Sequence, residues 1–256
     1  MPDPLPSAPP AVRMTWENLL FLHWRVEPDS LRALLPRDPT LELDTFGGDA
    51  FIALVPFRMT RTRFRGYPPL RSLAEFYECN VRTYVRVRTP AGVLPGVWFF
   101  SLDAANRLPV LGGRRMWNLN YVHSRFNVTH TADNTRHDYA LSRRRGPWPD
   151  GRTHAVWRTG PALPTSQPGT LEHFLTERYW LFTRRRGRIM GGRIHHEPWP
   201  LREATLESLD DTLVRAAGAH AQGEPLAWAS DTIDVVGWNL TDPTRIAAPP
   251  SNGRRT

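Results

Sequence analysis

Residues 76–102, FYECNVRTYVRVRTPAGVLPGVWFFSL, constrain the fold more than any other stretch. Side chains along a β-strand point alternately to opposite faces. In the first half of this stretch Val81, Thr83, Val85 and Val87 share one face, and Glu78, Asn80, Arg82, Tyr84, Arg86 and Arg88 share the other. The TPAG segment then turns the chain back, so the whole reads as a long β-hairpin. Glu78 sits among Phe76, Tyr77, Val81 and Tyr84. If its face points into a closed sheet, the carboxylate is buried, and a buried carboxylate takes either a partner or a raised pKa. Two readings stay open. In one, Glu78 is an acid–base group with Asn80, Arg82 and Tyr84 as ligand-binding neighbours; in the other, Glu78 and Arg82 form a structural ion pair.

Strand signals dominate elsewhere too. LELDTFGGDAFIALVPFRM reads as two strands around a GGD turn, and YVHSRFNVTHT with RHDYALSRR as a pair around ADN. THAVWRTG, IMGGRIHHEPWPL and TIDVVGWNL are further extended segments. Helices are short. EPDSLRALLP has Asp29 or Ser30 as cap and Pro36 as stop, TLEHFLTERYWLF begins as a helix capped by Thr170, and ESLDDTLVRAAG is a third. Residues 104–117 read as a helix broken by Pro109 and Gly112-Gly113. Many strands with a few short helices give an α+β or mostly-β architecture.

No central linker divides the 256 residues, so one domain is expected over 14–243, after a disordered Pro-rich segment at 1–13 and before a flexible tail at 244–256. Cys79 is the single cysteine, which fits a reducing cytoplasm, and no secretory signal or membrane-spanning run is evident. The net charge of +8 comes entirely from arginine, since the chain contains no lysine. The runs at Arg143–Arg145 and Arg184–Arg186 stand beside Gly or Pro and read as solvated turns rather than a nucleic-acid footprint. Ten tryptophans add a further requirement, because each buried indole N–H needs a partner.

Phosphate loops, dinucleotide fingerprints and zinc-spaced cysteines are absent, and no cofactor or metal is expected. His195 and His196 are neighbours on an extended segment and point apart, which disfavours a shared ion; His195 and Glu197 share a face and form a candidate hydrogen-bonded pair. Metal binding by sequence-distant histidines such as His23, His123 and His195 stays open. Tyr121 and His123 share one strand face and read either as proton donors and acceptors or as ordinary polar core residues. Arg82 and Arg115 are candidates to hold a carboxylate bidentately.

The segments LLFLHWRVEPDSLRALLP, LELDTF, VPFRM, FYECNVRTYV, GVWFFSLDAANRLPV, LEHFLTERYWLFT and HHEPWPL resemble the YqjF-like domain family of the acetoacetate decarboxylase-like superfamily, from about Trp16 to Trp238. The resemblance implies a cone-shaped, mostly antiparallel β-barrel with a few flanking short helices, enclosing a small-molecule cavity. The decarboxylases use a lysine as Schiff-base nucleophile. The resemblance puts that lysine's place at Tyr121 and a second lysine's at Val122 in GRRMWNLNYV, and matches Glu78 to a glutamate of the decarboxylases. Without lysine, a side chain cannot form the Schiff base. The expectation is a pocket for a carbonyl- or carboxylate-bearing metabolite, with Tyr121, Glu78 and His123 as acid–base groups of a lyase, isomerase or cyclase. Its rivals are a non-catalytic ligand-binding module and, last, a basic nucleic-acid-binding protein. Homo-oligomerisation follows only by analogy with the decarboxylases.

Overall fold

The computed structural model describes residues 5–67, 75–143 and 148–246. Fourteen strands and four short α-helices run in the order β1 (Val12–Glu17), β2 (Leu19–Val26), α1 (Pro28–Arg32), β3 (Leu41–Leu43), β4 (Ala50–Phe64), β5 (Phe76–Thr89), β6 (Gly92–Ala104), α2 (Arg107–Trp117), β7 (Tyr121–His130), β8 (Arg136–Arg143), β9 (Arg152–Ala162), α3 (Leu171–Thr176), β10 (Trp180–Arg185), β11 (Arg188–His195), β12 (Leu201–Asp211), α4 (Leu213–Ala216), β13 (Leu226–Ser230) and β14 (Ile233–Gly237) among the described residues. A 3₁₀ turn follows at Pro243–Arg245.

The strand pairings close two rings that share the wall β4–β5–β6. One ring runs β4–β5–β6–β10–β11–β14–β1, closed by the β1–β4 pairing. The other runs β4–β5–β6–β7–β8–β9–β12–β13–β2. Pairs are antiparallel except β6 with β10 and β6 with β7. This mostly antiparallel barrel matches the expected fold class.

The shared wall explains why both faces of the alternating hairpin are buried. On one side Ile52 and Leu54 of β4 and Cys79 and Val81 of β5 pack with Leu22, Trp24, Tyr139 and Trp157 into a closed apolar core. On the other, Val55, Phe57 and Met59 of β4 and Glu78, Asn80 and Arg82 of β5 line a cavity. Period-two alternation thus sends one set of side chains into a filled ring and the other into a hollow one.

Several local expectations are corrected. The GGD turn forms, with Phe46 bridged to Asp49, but β3 pairs with β5 and not with β4. β4 covers β5 only from Phe76 to Thr83, leaving the edge at Val85–Val87 for β3. The helix at 107–117 is unbroken; Pro109 falls in its first turn, where a missing N–H costs no intrahelical bond. Residues 207–211 extend β12 along β9, and the helix reduces to Leu213–Ala216, with the Asp211 carboxylate accepting from Leu213 and Val214 N–H. Helix α1 starts with Pro28 at its first position after Glu27, so Asp29 and Ser30 lie inside it. Thr170 caps α3 as expected, accepting from His173 N–H at 3.3 Å.

β1 begins at Val12 within the Pro-rich segment, and Trp238 Nε1 donates to Ala8 O at 2.7 Å. Arg143 is not a solvated turn residue. Its side chain is 3% exposed, and its Nε donates to Asp103 Oδ1 at 2.9 Å while Nη2 donates to Asp103 Oδ2 at 3.0 Å. Ser124 also donates to Asp103 Oδ1. Such a pair is held by mutual satisfaction, because removing either partner strands a buried charge at a cost of about 3–5 kcal/mol. Arg144 and Arg145 lie outside the described residues. The Arg184–Arg186 run does turn the chain between β10 and β11, exposed to solvent.

Candidate functional site

All strands of the smaller ring contribute to one cavity of about 120 Å³, which also takes in Leu19 and Phe21 from β2, Tyr121 from β7 and the segments after α3 and β11. This is room for a small organic molecule. Its walls are mainly Trp16, Phe21, Phe57, Phe99 and Trp199, with a polar group formed by Glu78, Asn80, Arg82, Tyr121, Arg178 and His196.

Glu78 is 2% exposed. Burial pushes its carboxyl up to about 8, against weaker opposing pulls from the Asn80 amide and the Tyr121 hydroxyl, with the Asp103 charge adding to the rise. It is therefore a neutral acid at pH 7. The Tyr121 hydroxyl beside it is held well above its usual value by burial and by Glu78 itself. Tyr121 reaches this position because α2 passes closely over it. A Cβ on Gly113 would collide with Tyr121 Cε2 and Cδ2, so only glycine fits beneath the ring. Arg114 Nε donates to the Tyr121 carbonyl at 2.7 Å and fixes the start of β7.

The alternative ion pair of Glu78 with Arg82 does not form. Arg82 is 8% exposed and packs its guanidinium over Phe21 and Tyr84, 5.6 and 5.8 Å from the ring centroids. Its Nη2 makes a long 3.4 Å bond to Leu175 O, its Nε has no partner, and no carboxylate pairs with it among the described residues. Arg178, which also lines the cavity, is different: Nη1 donates to Asp44 at 2.7 Å and Nε to Phe174 O at 2.6 Å. The cavity thus contains one neutralised arginine and one without a carboxylate.

Tyr84 does not line the cavity and stands behind Arg82. Its hydroxyl donates to Leu175 O at 2.9 Å, so the 2.7 Å contact with His23 is a donation from His23 Nε2–H. Burial, and then Arg82, holds His23 well below its usual pKa, so it is neutral. The Tyr84 hydroxyl is engaged by these bonds and lies outside the cavity lining, which corrects its expected role as a ligand contact. His123 is also displaced from the expected site: it faces a separate surface depression with Arg58, Glu75 and Asn106. Arg115 is exposed on α2 and does not line the cavity. Val122 is buried outside it.

Sequence reasoning missed His196, Arg178 and Thr176 as cavity residues. The HHEPWP segment drew notice for His195 and Glu197, yet β11 ends at His195 and the chain leaves strand geometry there. His195 stacks on Tyr179, while His196, 2% exposed, turns inward between Tyr179 and Trp199, 4.8 Å from each ring centroid. Its Nδ1 bonds the Glu197 carbonyl at 2.7 Å. Glu177, adjacent to Arg178, is consumed structurally, accepting from Trp199 N–H and the Tyr179 hydroxyl. Among the described residues, no group of three His, Cys, Asp or Glu side chains is placed to hold a metal ion. No helix there is long and apolar enough to cross a membrane.

The family model described as DUF2071, uncharacterized conserved protein, matches residues 13–234. The chain belongs to this family. Among its relatives is the uncharacterized protein YqjF of Bacillus subtilis (strain 168), 37% identical over 230 residues that cover 90% of this chain and 91% of YqjF. The DUF2071 fold resembles that of an acetoacetate decarboxylase-like enzyme from Sphingomonas wittichii RW1, with a TM-score of 0.61 at 14% identity over 91% of this chain and 92% of that one. It also resembles the acetoacetate decarboxylase of Legionella pneumophila, with a TM-score of 0.59 at 16% identity over 94% and 93%. A third likeness is to the enduracididine biosynthesis enzyme MppR complexed with pyruvate, with a TM-score of 0.59 at 16% identity over 92% and 93%. At these identities the structures show that the DUF2071 chain shares the acetoacetate decarboxylase-like fold.

Proposed function

We propose that this DUF2071 protein binds a small organic acid bearing a carbonyl group and acts on it by acid–base chemistry, as a lyase, isomerase or cyclase. One observation carries the reading: a neutral carboxyl, a neutral phenol and a guanidinium without a carboxylate partner share one cavity. Arg82 is the residue for the ligand carboxylate, since a buried cation is stabilised by an anion with matched hydrogen-bond geometry. Glu78 and Tyr121 are the donors to the carbonyl oxygen. A carboxylic acid kept neutral at pH 7 donates a hydrogen bond that strengthens as charge develops on its acceptor. Asn80 sits between Glu78 and Arg82 on β5.

Five buried polar atoms lacking a protein partner belong to residues of the same cavity. Trp16 Nε1, Thr62 Oγ1, Glu78 Oε2, Asn80 Oδ1 and Arg82 Nε all belong to cavity-lining residues. Buried polar groups are normally bonded, and a polar ligand answers this set. Pyruvate, bound to the similarly folded MppR, carries both a carboxylate and a carbonyl, which supports the substrate class. The absence of lysine directs the chemistry to the carbonyl itself and not to an imine. Many surface arginines, such as Arg25, Arg86, Arg136 and Arg202, are paired with carboxylates, which weighs against a nucleic-acid surface. We place the protein in the cytoplasm on its single cysteine, and a homo-oligomer by analogy with the decarboxylases.

Titration of the purified protein with pyruvate by calorimetry tests the reading. Arg82→Gln weakens binding about 10- to 100-fold, the scale of a charge-assisted hydrogen bond. Tyr121→Phe and Glu78→Gln weaken it less. Equal affinity of the Arg82→Gln variant and the wild type sinks the carboxylate assignment. Binding without any chemical change in bound acids favours the non-catalytic alternative.

A further inference from the structure

We propose that His196 is the general base of this cavity, with Nε2 removing a proton from the carbon next to the ligand carbonyl. The inference rests on the carboxylate and carbonyl placement above and adds a residue that the sequence did not single out.

The geometry fixes the tautomer. The Glu197 carbonyl only accepts, so the 2.7 Å contact at Nδ1 requires a proton on that nitrogen. In the neutral ring the lone pair then belongs to Nε2. The imidazole is held between the Tyr179 and Trp199 rings and lines the same cavity as Arg82, Glu78 and Tyr121. A backbone-oriented histidine whose second nitrogen carries the lone pair, on a ligand cavity, is arranged as a base.

The surroundings keep the ring neutral. Burial lowers its pKa first; the Glu197 carbonyl and the Glu177 carboxylate oppose this, and His195 and Arg82 add to the lowering. Glu177 is engaged by Trp199 N–H and the Tyr179 hydroxyl, while the histidine's own proton goes to the Glu197 carbonyl. Neither His23 nor His123 competes for the role: His23 does not line the cavity, and His123 faces the surface depression outside it.

The step balances without a further reactant. The C–H bond beside the carbonyl breaks and its proton passes to Nε2. The bond's electron pair forms a carbon–carbon double bond, and the carbonyl π pair moves onto oxygen, which takes the hydrogen bond or proton of Glu78. Reversal in heavy water delivers a deuteron to carbon. The same enol is the branch point for isomerisation, elimination or condensation.

The experiment incubates the full chain with pyruvate in D₂O and follows the methyl signal by proton NMR, with saturation transfer reporting binding. The wild type is expected to exchange the methyl hydrogens faster than buffer. His196→Gln is expected to lose that exchange by about 10²- to 10⁴-fold, the usual contribution of a general base, while still binding pyruvate. Wild-type protein that binds pyruvate without exchanging it, or His196→Gln that exchanges at the wild-type rate, overturns the assignment and leaves the binding site standing. Absence of pyruvate binding overturns both. Because His196 is buried and its variant is open to misfolding, nitrogen-15 histidine spectra of the wild type give an independent reading. A ring protonated at Nδ1 and bare at Nε2 at pH 7 supports the base; a ring protonated at Nε2 rejects it.

Discussion

The Glu78 carboxyl is the residue where chemistry and stability oppose each other most directly. Its folded pKa of about 8 stands above the value of 4.5 for an unburied glutamate. Between these values the folded protein holds a proton that the unfolded chain releases, so stability falls as pH rises through this window. Glu78→Gln removes the titration while keeping the shape. The variant is expected to match the wild type in urea denaturation at pH 4 and to exceed it at pH 9, by up to about 5 kcal/mol if the whole shift is expressed. A constant difference across that range would mean that Glu78 is not neutral in the fold.

At the level of elements, the contact between α2 and β7 sets the site. The helix carries no large side chain at Gly113, and the Tyr121 ring occupies the space against its backbone. Gly113→Ala forces one of them to move, and overpacking of this kind costs about 1–3 kcal/mol. The expected result is a lower urea midpoint together with a pyruvate affinity shifted in the direction of Tyr121→Phe. An unchanged affinity would separate Tyr121 from the ligand. The other element decision is the end of β11. Strand pairing stops at His195, and release from the ladder lets His196 turn inward, against the strict alternation that pointed to His195 and Glu197.

For the whole molecule, closure of the smaller ring depends on distant parts of the chain. β1 pairs with β14 from Val12↔Gly237 to Trp16↔Ile233, and also with β4. The larger ring is filled by its own apolar side chains and contains neither β1 nor β14. Deleting residues from 233 onward unpairs one edge of β1 and removes β14 from the cavity wall. The truncated chain is expected to lose the cooperative thermal transition seen by near-ultraviolet circular dichroism, because the two rings share β4, β5 and β6 and each buries one face of that wall. Survival of a sharp transition would show that the filled ring folds as a unit of its own.

The sequence by itself determined most of the strands, because alternation and turn residues are local properties, and its long contiguous motifs carried the resemblance that implied the mostly antiparallel class and the family. It also brought Glu78, Asn80, Arg82 and Tyr121 forward as candidates, through strand parity and resemblance. Only the tertiary structure decided which of the alternating faces meets a cavity and which a packed core. That choice depends on two rings sharing one wall, and no periodicity records it. The same long-range packing moved His123 and Arg115 out of the site, placed Tyr84 behind Arg82, buried Arg143 against Asp103 and turned His196 inward. Each of these depends on contacts between strands far apart in the chain, where a side chain's neighbours are set by closure of the sheet and not by its own position in the sequence.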